Sequence, residues 1–74
     1  MEQTLREIVA KIAEITADFD AAANLHDDLD VDSVRAMEVV FEIERRFNIV
    51  VPEGRFGDVR TFNDLLKLVC SITS

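Results

Sequence analysis

Apolar residues in the first part of the chain recur every three or four positions, which is the spacing of one face of a helix. Charged residues lie between them, as on a solvated face: Arg6, Glu7, Lys11 and Glu14. Thr4 is followed three residues later by Glu7, which is a capping box, so the first helix is predicted to begin at Thr4. The apolar face consists of Leu5, Ile8, Val9, Ile12 and Ile15.

Residues 17–32 are rich in Asp and Asn, which favour turns and helix caps over helix interiors. We therefore predict a long connection between the first and second helices. A connection of this length inside a small domain is uncommon and is often functional. Four apolar side chains are expected to hold it against the core: Phe19, Leu25, Leu29 and Val31.

The second helix is predicted from about Ser33 to Phe47, with Asp32 or Ser33 as its N-terminal cap. It carries two apolar stripes, and the first 32 residues are too few to cover both. The core stripe consists of Ala36, Val39, Val40, Ile43 and Phe47. The second stripe consists of Val34, Met37 and Phe41, and it serves either as core or as a docking face for a partner.

The rest of the chain predicts an extended segment, a short turn and a third helix. Residues 48–52 leave the second helix as an extended crossing segment, and residues 54–59 form one helical turn held by Phe56. Thr61 and Asp64 resemble a second capping box, so the last helix is predicted to begin at Thr61. Its apolar side consists of Phe62, Leu65, Leu66, Leu68, Val69 and Ile72. Cys70 is expected on the same side as part of the core, with partial exposure near the end of the chain as the alternative. The pattern predicts an all-α fold, a small bundle of three to four helices with a long first loop.

Length and composition are those of one globular domain, here residues 1–74, expected to be monomeric. One cysteine excludes an internal disulfide and a cysteine-based zinc site, and it suits a reducing, cytoplasmic setting. The charged residues Glu2, Arg6 and Glu7 are atypical of a signal peptide. No apolar run reaches the length of a membrane span.

The net charge of −7 argues against nucleic acid and anionic membrane surfaces as partners. It is unevenly distributed along the chain. Residues 1–32 contain nine acids and two bases, whereas residues 33–74 contain six of each. The negative field therefore ends at Asp32, where it would attract a basic surface of a partner.

Ser33 and its neighbours permit several kinds of chemistry. The spacing of Asp28, Asp30 and Asp32 matches the start of a calcium-binding loop, but Ser33 and Val39 replace the glycine and glutamate that such a loop requires. We therefore expect no metal site. A serine hydrolase needs a histidine beside its serine; His26, the one histidine, lies on the long connection and is expected at the surface. No catalytic residues are predicted, and Ser33 taken alone is a helix cap.

A longer motif surrounds Ser33 and extends over most of the chain. It reads Leu25-x-x-Asp28-Leu29-x-x-Asp32-Ser33, then Glu38-Val39-Val40-x-x-Ile43-Glu44-x-x-Phe47-x-Ile49-x-Val51-Pro52, then Thr61-Phe62-x-Asp64-Leu65. In order and spacing this motif resembles the acyl carrier protein family. The resemblance implies a non-catalytic carrier with 4′-phosphopantetheine attached to Ser33, next to Asp32. It also implies a phosphopantetheinyl transferase and acyl-loading ligase or synthase enzymes as partners, docking at Val34, Arg35, Met37, Glu38 and Phe41.

Some positions depart from the family pattern. The family usually has Gly where this chain has Asp30, Leu where it has Val34, and an acidic residue where it has Arg35. The second helix is also balanced in charge rather than acidic. These departures favour a specialised carrier over a housekeeping carrier of fatty acid synthesis. Fatty acyl, polyketide and aminoacyl (or peptidyl) cargoes remain open, as does an unmodified helical interaction domain with the same fold.

Overall fold

The computed structural model describes residues 1–52 and 54–73. Over these ranges it contains helices and an isolated antiparallel bridge, between Asn24 and Thr61, but no β-strand. Each helix is too short or too polar to be a membrane span. The predicted all-α bundle is confirmed, with a single 3-10 turn as its fourth helical element. The elements are α1 (Glu2–Ala13), α2 (Ser33–Phe47), the 3-10 turn (Phe56–Asp58) and α3 (Phe62–Thr73).

The start of α1 differs from the prediction. The helix begins at Glu2, and its N-cap, Met1, forms no side-chain capping bond. The Leu5 N–H donates to the Met1 carbonyl at 3.0 Å, so main-chain bonding starts before Thr4. The Glu7 carboxylate accepts from the Gln3 side chain at 3.2 Å, one turn earlier on the helix surface. The predicted capping box is therefore wrong, because Thr4 lies inside the helix.

Arg6 was predicted to lie on the solvated face of α1, but its side chain is only 17% exposed. Its guanidinium donates to the carbonyls of Ala17 at 2.9 Å and Phe19 at 2.6 Å. It also lies 4.8 Å from the ring centroid of Phe19 and 5.1 Å from that of Phe62, within the range of cation–π attraction. Arg6 thus fastens the first residues of the long connection to α1 and α3.

Helix α2 has the predicted bounds and ends at Phe47; the next residue, Asn48, has a φ of 55° and forms a left-handed C-cap. Val39 and Ile43 are buried, and the other members of the core stripe are half-buried. The core is shared by all three α-helices, the long connection and Val51. Its buried residues from the connection are Leu25, Leu29 and Val31, with Phe19 half-buried against them.

Helix α3 begins with the predicted capping box. The Asp64 N–H donates to the Thr61 hydroxyl at 3.2 Å, and the Asp64 carboxylate accepts from the Thr61 and Arg60 N–H groups, both at 3.1 Å. These bonds hold the pKa of Asp64 below its usual value, and the bond from the Thr61 N–H has the largest effect. Phe62, Leu65, Leu68 and Val69 are buried, while Leu66 and Ile72 are half-buried.

Cys70 is exposed, so the prediction that it packs in the core is wrong. Successive residues of a helix are turned by about 100°. Because Val69 faces the core, the next residue, Cys70, lies on the flank of α3. Its sulfur lies 3.4 Å from the sulfur of Met1.

The long connection is joined to the start of α3 by main-chain hydrogen bonds. The Leu25 N–H donates to the Arg60 carbonyl at 2.8 Å. The N–H groups of Phe62 and Asn63 donate to the carbonyls of Ala23 at 3.3 Å and Ala21 at 3.0 Å. We call these bonds between residues 21–25 and 60–63 the clasp. The clasp holds the long connection beside the start of α3. It thereby determines the path by which the chain reaches α2.

Candidate functional site at the start of α2

The acidic residues before α2 build a compact series of turns. The Asn24 side-chain oxygen accepts from the N–H groups of His26 at 2.9 Å and Asp27 at 2.8 Å. The Asp28 carboxylate accepts from the Asn24 N–H at 2.8 Å. Asn and Asp side chains commonly close turns in this way. In the described part of the chain, no group of three or more His, Cys, Asp or Glu side chains is arranged to hold a metal ion.

Asp30 occupies the left-handed region of the backbone, with φ of 58°. This region suits glycine and is tolerated by Asp and Asn better than by most residues. The turn brings the Val31 N–H to the Leu25 carbonyl at 2.9 Å and buries the Val31 side chain. The substitution of Asp for the usual Gly therefore preserves the turn that leads to α2.

Asp32 caps α2 from an extended conformation, with φ of −80° and ψ of −177°. Its carboxylate accepts from the Arg35 N–H at 2.8 Å, and its carbonyl accepts from the Ala36 N–H at 2.8 Å. Ser33 is the first helical residue and is exposed. Among the described residues, neither its hydroxyl nor the N–H groups of Ser33 and Val34 have a hydrogen-bond partner. The start of α2 therefore presents a free hydroxyl and two free donors to solvent.

Two cavities meet at Ser33. The first, of about 590 Å³, lies between the start of α2, the long connection and the residues before α3. Half of its described lining residues have polar side chains and most of its surface is apolar; we call it the polar cavity because it is the more polar of the two. The apolar groove, of about 450 Å³, follows α2 toward residues 51–56. Residues that bound the polar cavity include Leu25, His26, Asp32, Ala36, Val59 and Arg60. Residues that bound the apolar groove include Met37, Val40, Phe41, Val51, Pro52 and Phe56.

The second stripe is exposed along α2. The exposed fractions are 65% for Val34, 58% for Met37 and 61% for Phe41, so these residues are not core. Three large apolar side chains on one exposed helix face are typical of a surface that a partner covers. The stripe begins directly beside Ser33, and Glu38, also exposed, lies on the same helix.

Arg35 is half-buried and faces α1. Its guanidinium lies 3.3 Å from the Glu14 carboxylate and donates to the Ala13 carbonyl at 3.4 Å. The carbonyl end of α1 carries partial negative charge, which suits a guanidinium. Arg35 thus holds the start of α2 against the end of α1.

Further along α2, acidic side chains are also engaged within the chain. Glu42 and Arg45 form an ion pair at 3.1 Å, and the Glu44 carboxylate accepts from the Val51 N–H at 2.9 Å. Within residues 1–52 and 54–73, Glu38 and Arg46 are not in ion pairs. The surface of α2 therefore offers a partner little net charge beside an apolar stripe.

His26 is exposed, as expected, with its ring nitrogen 3.1 Å from the Asp27 carboxylate. The structure also places His26 and Arg60 on the polar cavity that Ser33 borders, which the sequence did not indicate. The Thr61 capping box locates Arg60 two residues before α3. Only the packing of the clasp brings it to the same cavity as Ser33.

Comparison with known proteins agrees with this geometry. Residues 3–69 match the family model described as a phosphopantetheine attachment site. The chain is 33% identical to an acyl carrier protein of Acidothermus cellulolyticus, over 93% of this chain and 83% of that protein. It is 35% identical to an acyl carrier protein of Amoebophilus asiaticus, over 81% and 75%. It is 29% identical to polyketide-8 synthase acyl carrier protein 2 of Streptomyces avermitilis, over 95% and 82%.

Proposed function

This chain belongs to the acyl carrier protein family, and we propose that it carries an acyl group as a thioester on a 4′-phosphopantetheine arm attached to Ser33. Covalently attached 4′-phosphopantetheine is the cofactor of this family. The observation that carries the assignment is the exposed, unpartnered hydroxyl of Ser33 at the start of α2, where the two cavities meet.

The residues around Ser33 fit a phosphodiester. The free N–H groups of Ser33 and Val34 and the positive end of the α2 dipole favour an anion there. The nearest acidic side chain, the N-cap Asp32, accepts a hydrogen bond from the Arg35 N–H, and the first turn of α2 itself contains no acidic residue. When bound, the arm supplies the thiol that holds the acyl group, so the exposed Cys70 is not needed for the chemistry.

Attachment requires a separate enzyme. Among the described side chains, none forms a hydrogen bond with the Ser33 hydroxyl and so none is placed to take its proton. A phosphopantetheinyl transferase would supply the base. The Ser33 oxygen forms a bond to the phosphorus of coenzyme A that bears pantetheine, and the bond from that phosphorus to adenosine 3′,5′-bisphosphate breaks. The proton passes to the transferase, and the nucleotide leaves.

The second stripe is the proposed docking face for the transferase and for acyl-loading ligase or synthase enzymes. Its three side chains are exposed beside Ser33, and the charges of α2 are mostly engaged within the chain. Docking would therefore depend on apolar burial more than on charge. This supports a specialised carrier whose enzymes differ from partners that recognise an acidic helix. Glu38 would lie at the edge of this interface and Arg35 behind it.

The cargo is proposed to be an acyl group of fatty acid, polyketide or specialised metabolism. The apolar groove next to Ser33 has the lining that an alkyl chain would occupy. One relative is named as a polyketide synthase carrier, which supports polyketide metabolism as one setting. We further propose that residues 1–74 act as one non-catalytic carrier domain, since all three α-helices share one core.

Intact mass spectrometry tests the proposal. The protein is incubated with coenzyme A and a broad-specificity phosphopantetheinyl transferase, alongside Ser33→Ala and, as a control, Ser71→Ala. We expect one added phosphopantetheinyl group on the wild type and on Ser71→Ala, and none on Ser33→Ala. Loading of Ser33→Ala would show that the residue is wrong. No loading of the wild type by several transferases would instead favour an unmodified interaction domain that binds through the second stripe.

A further inference from the structure

Arg60 is an unusual member of the polar cavity that Ser33 borders. It is the permanently charged cation among the described lining residues, which also include the acids Asp27 and Asp32. Its side chain is exposed and forms no ion pair with any described residue. Arg6, Arg35 and Arg45 are in ion pairs, whereas Arg46 and Arg55 are, like Arg60, without an ionic partner among the described residues but do not line this cavity. The Arg60 guanidinium therefore has no ionic partner among the described residues, although two acidic side chains line the same cavity.

The main chain of Arg60 is firmly held although its guanidinium is free. Its N–H donates to the Asp64 carboxylate at 3.1 Å, and its carbonyl accepts from the Leu25 N–H at 2.8 Å. Asp64 is committed to the cap of α3, which explains why it does not pair with the Arg60 guanidinium. The base of the side chain is therefore fixed at the cavity while its charged end can turn toward a ligand there.

The two cavities at Ser33 offer different surroundings to an arm that leaves its hydroxyl. A phosphopantetheine arm has an anionic phosphodiester, a hydroxyl and two amides, and such groups are poorly placed where they lack hydrogen-bond partners. The apolar groove is lined mainly by apolar side chains such as Val40 and Pro52. The polar cavity offers His26 and Arg60 at its rim and apolar surface at Val59. The polar cavity is the better match to the arm.

We propose that the unloaded arm lies in the polar cavity and that Arg60 is a positioning residue, its guanidinium donating charge-assisted hydrogen bonds to the phosphodiester. This inference rests on the proposed attachment to Ser33. Arg60 balances the negative charge that the arm adds next to Asp32. The arm is thereby held against the protein surface until a partner enzyme withdraws it.

The experiment compares Arg60→Gln with Arg55→Gln, which alters an exposed arginine of a different cleft. Intact mass first establishes that each protein is loaded at Ser33. Amide NMR spectra of the unmodified and modified forms then show which cavity the arm occupies. In the wild type we expect modification to shift the amides of Leu25, Gly57 and Val59. In Arg60→Gln these shifts should fall to roughly half or less, and in Arg55→Gln they should be retained.

Thermal unfolding gives a second readout that does not depend on any partner. Modification should raise the Tm of the wild type and of Arg55→Gln, and this increment should shrink in Arg60→Gln. The unmodified variants should match the wild type in Tm, because glutamine keeps both main-chain bonds of Arg60.

The outcomes separate this inference from the proposed function. A wild type that is not loaded overturns both, as the mass shows. A loaded wild type overturns the inference alone if modification shifts the amides of Phe41 and Gly54 in the apolar groove instead. Cavity shifts and a Tm increment that persist unchanged in Arg60→Gln would also overturn it.

Discussion

Helices α2 and α3 start in similar ways but use their side chains differently. At α3 the Thr61 hydroxyl and the Asp64 carboxylate satisfy the helix start between them. At α2 the Asp32 carboxylate takes the capping role, and the hydroxyl one residue later, on Ser33, has no partner among the described residues. A hydroxyl at the cap position turns toward the helix, whereas one at the first helical position faces outward. The two hydroxyls are chemically alike, but their positions differ: that of Thr61 stabilises the start of α3, and that of Ser33 is free for the proposed attachment.

The same division extends along the two helices. Apart from Cys70, the apolar side of α3 is buried or half-buried, whereas α2 leaves the second stripe exposed at 58–65%. Helix α3 thus serves the core alone, and α2 serves both the core and a proposed partner. Substitutions in the two helices should therefore affect different measurements.

The largest expected difference in stability is between Leu65→Ala and Phe41→Ala. Leu65 is 1% exposed, so its truncation should cost about 2–5 kcal/mol, a large share of the stability of so small a domain. Phe41 is 61% exposed, so Phe41→Ala should leave the free energy of unfolding almost unchanged. Urea unfolding measures both. A comparable loss in Phe41→Ala would show that the second stripe is structural.

Phe41→Ala should instead weaken recognition by partner enzymes. An apolar anchor at an interface contributes about 1–2 kcal/mol, which corresponds to roughly a tenfold loss of kcat/KM in transferase or ligase assays. Because the charges of α2 are mostly engaged, added salt should change this kcat/KM little. A steep loss with salt would show that charge attraction, not the second stripe, directs docking.

The two hydroxyls give the next contrast. Thr61→Ala removes a cap and should cost about 1 kcal/mol while leaving attachment of the arm intact. Ser33→Ala should abolish attachment while leaving the free energy of unfolding nearly the same, because Asp32 retains the cap. Urea unfolding and intact mass of the same two variants test this. Normal attachment with lost stability in Ser33→Ala would reverse the roles assigned to the two residues.

The cap of α3 also predicts a pH dependence. Because hydrogen bonds lower the pKa of Asp64 in the folded state, its carboxylate stabilises the fold above its usual pKa of 3.8. This contribution is lost as pH falls through the lower, folded value. The Tm difference between wild type and Asp64→Ala should therefore be largest near neutral pH and shrink in acid. A difference that stays constant down to the acid limit would contradict the assignment.

The smallest expected effect is that of Asp30→Gly. Glycine relieves the left-handed backbone at φ of 58° but has more freedom in the unfolded chain, so the net gain should be at most about 1 kcal/mol. Attachment to Ser33 should be unchanged. A shift in the urea midpoint measures the gain, and a clear loss of stability would show that the Asp30 side chain has a stabilising role of its own.

Sequence alone predicted the features that local chemistry decides. The bounds of α2 follow from a carboxylate cap at Asp32 and a left-handed residue at Asn48, both of which act on adjacent residues. The α3 cap has the same local basis. The start of α1 was missed because Thr4 and Glu7 form a plausible box, yet main-chain bonding begins earlier.

Features that depend on distant parts of the chain were not predictable. Arg6 is partly buried because residues 17–19 fold over it, and no pattern within α1 indicates this. Ser33 was predicted from its motif as the attachment residue, whereas the two cavities beside it and the presence of Arg60 depend on how the connection packs on α3.

The clasp has a consequence for the order in which a newly made chain becomes a substrate. Residues 21–25 leave the ribosome before their hydrogen-bond partners at residues 60–63 do. Ser33 is therefore exposed for a time on a nascent chain in which the residues before α3 have not yet completed the polar cavity. A transferase that needs the finished surface would act only after translation has passed α3, so that arms are installed on folded molecules rather than on growing ones.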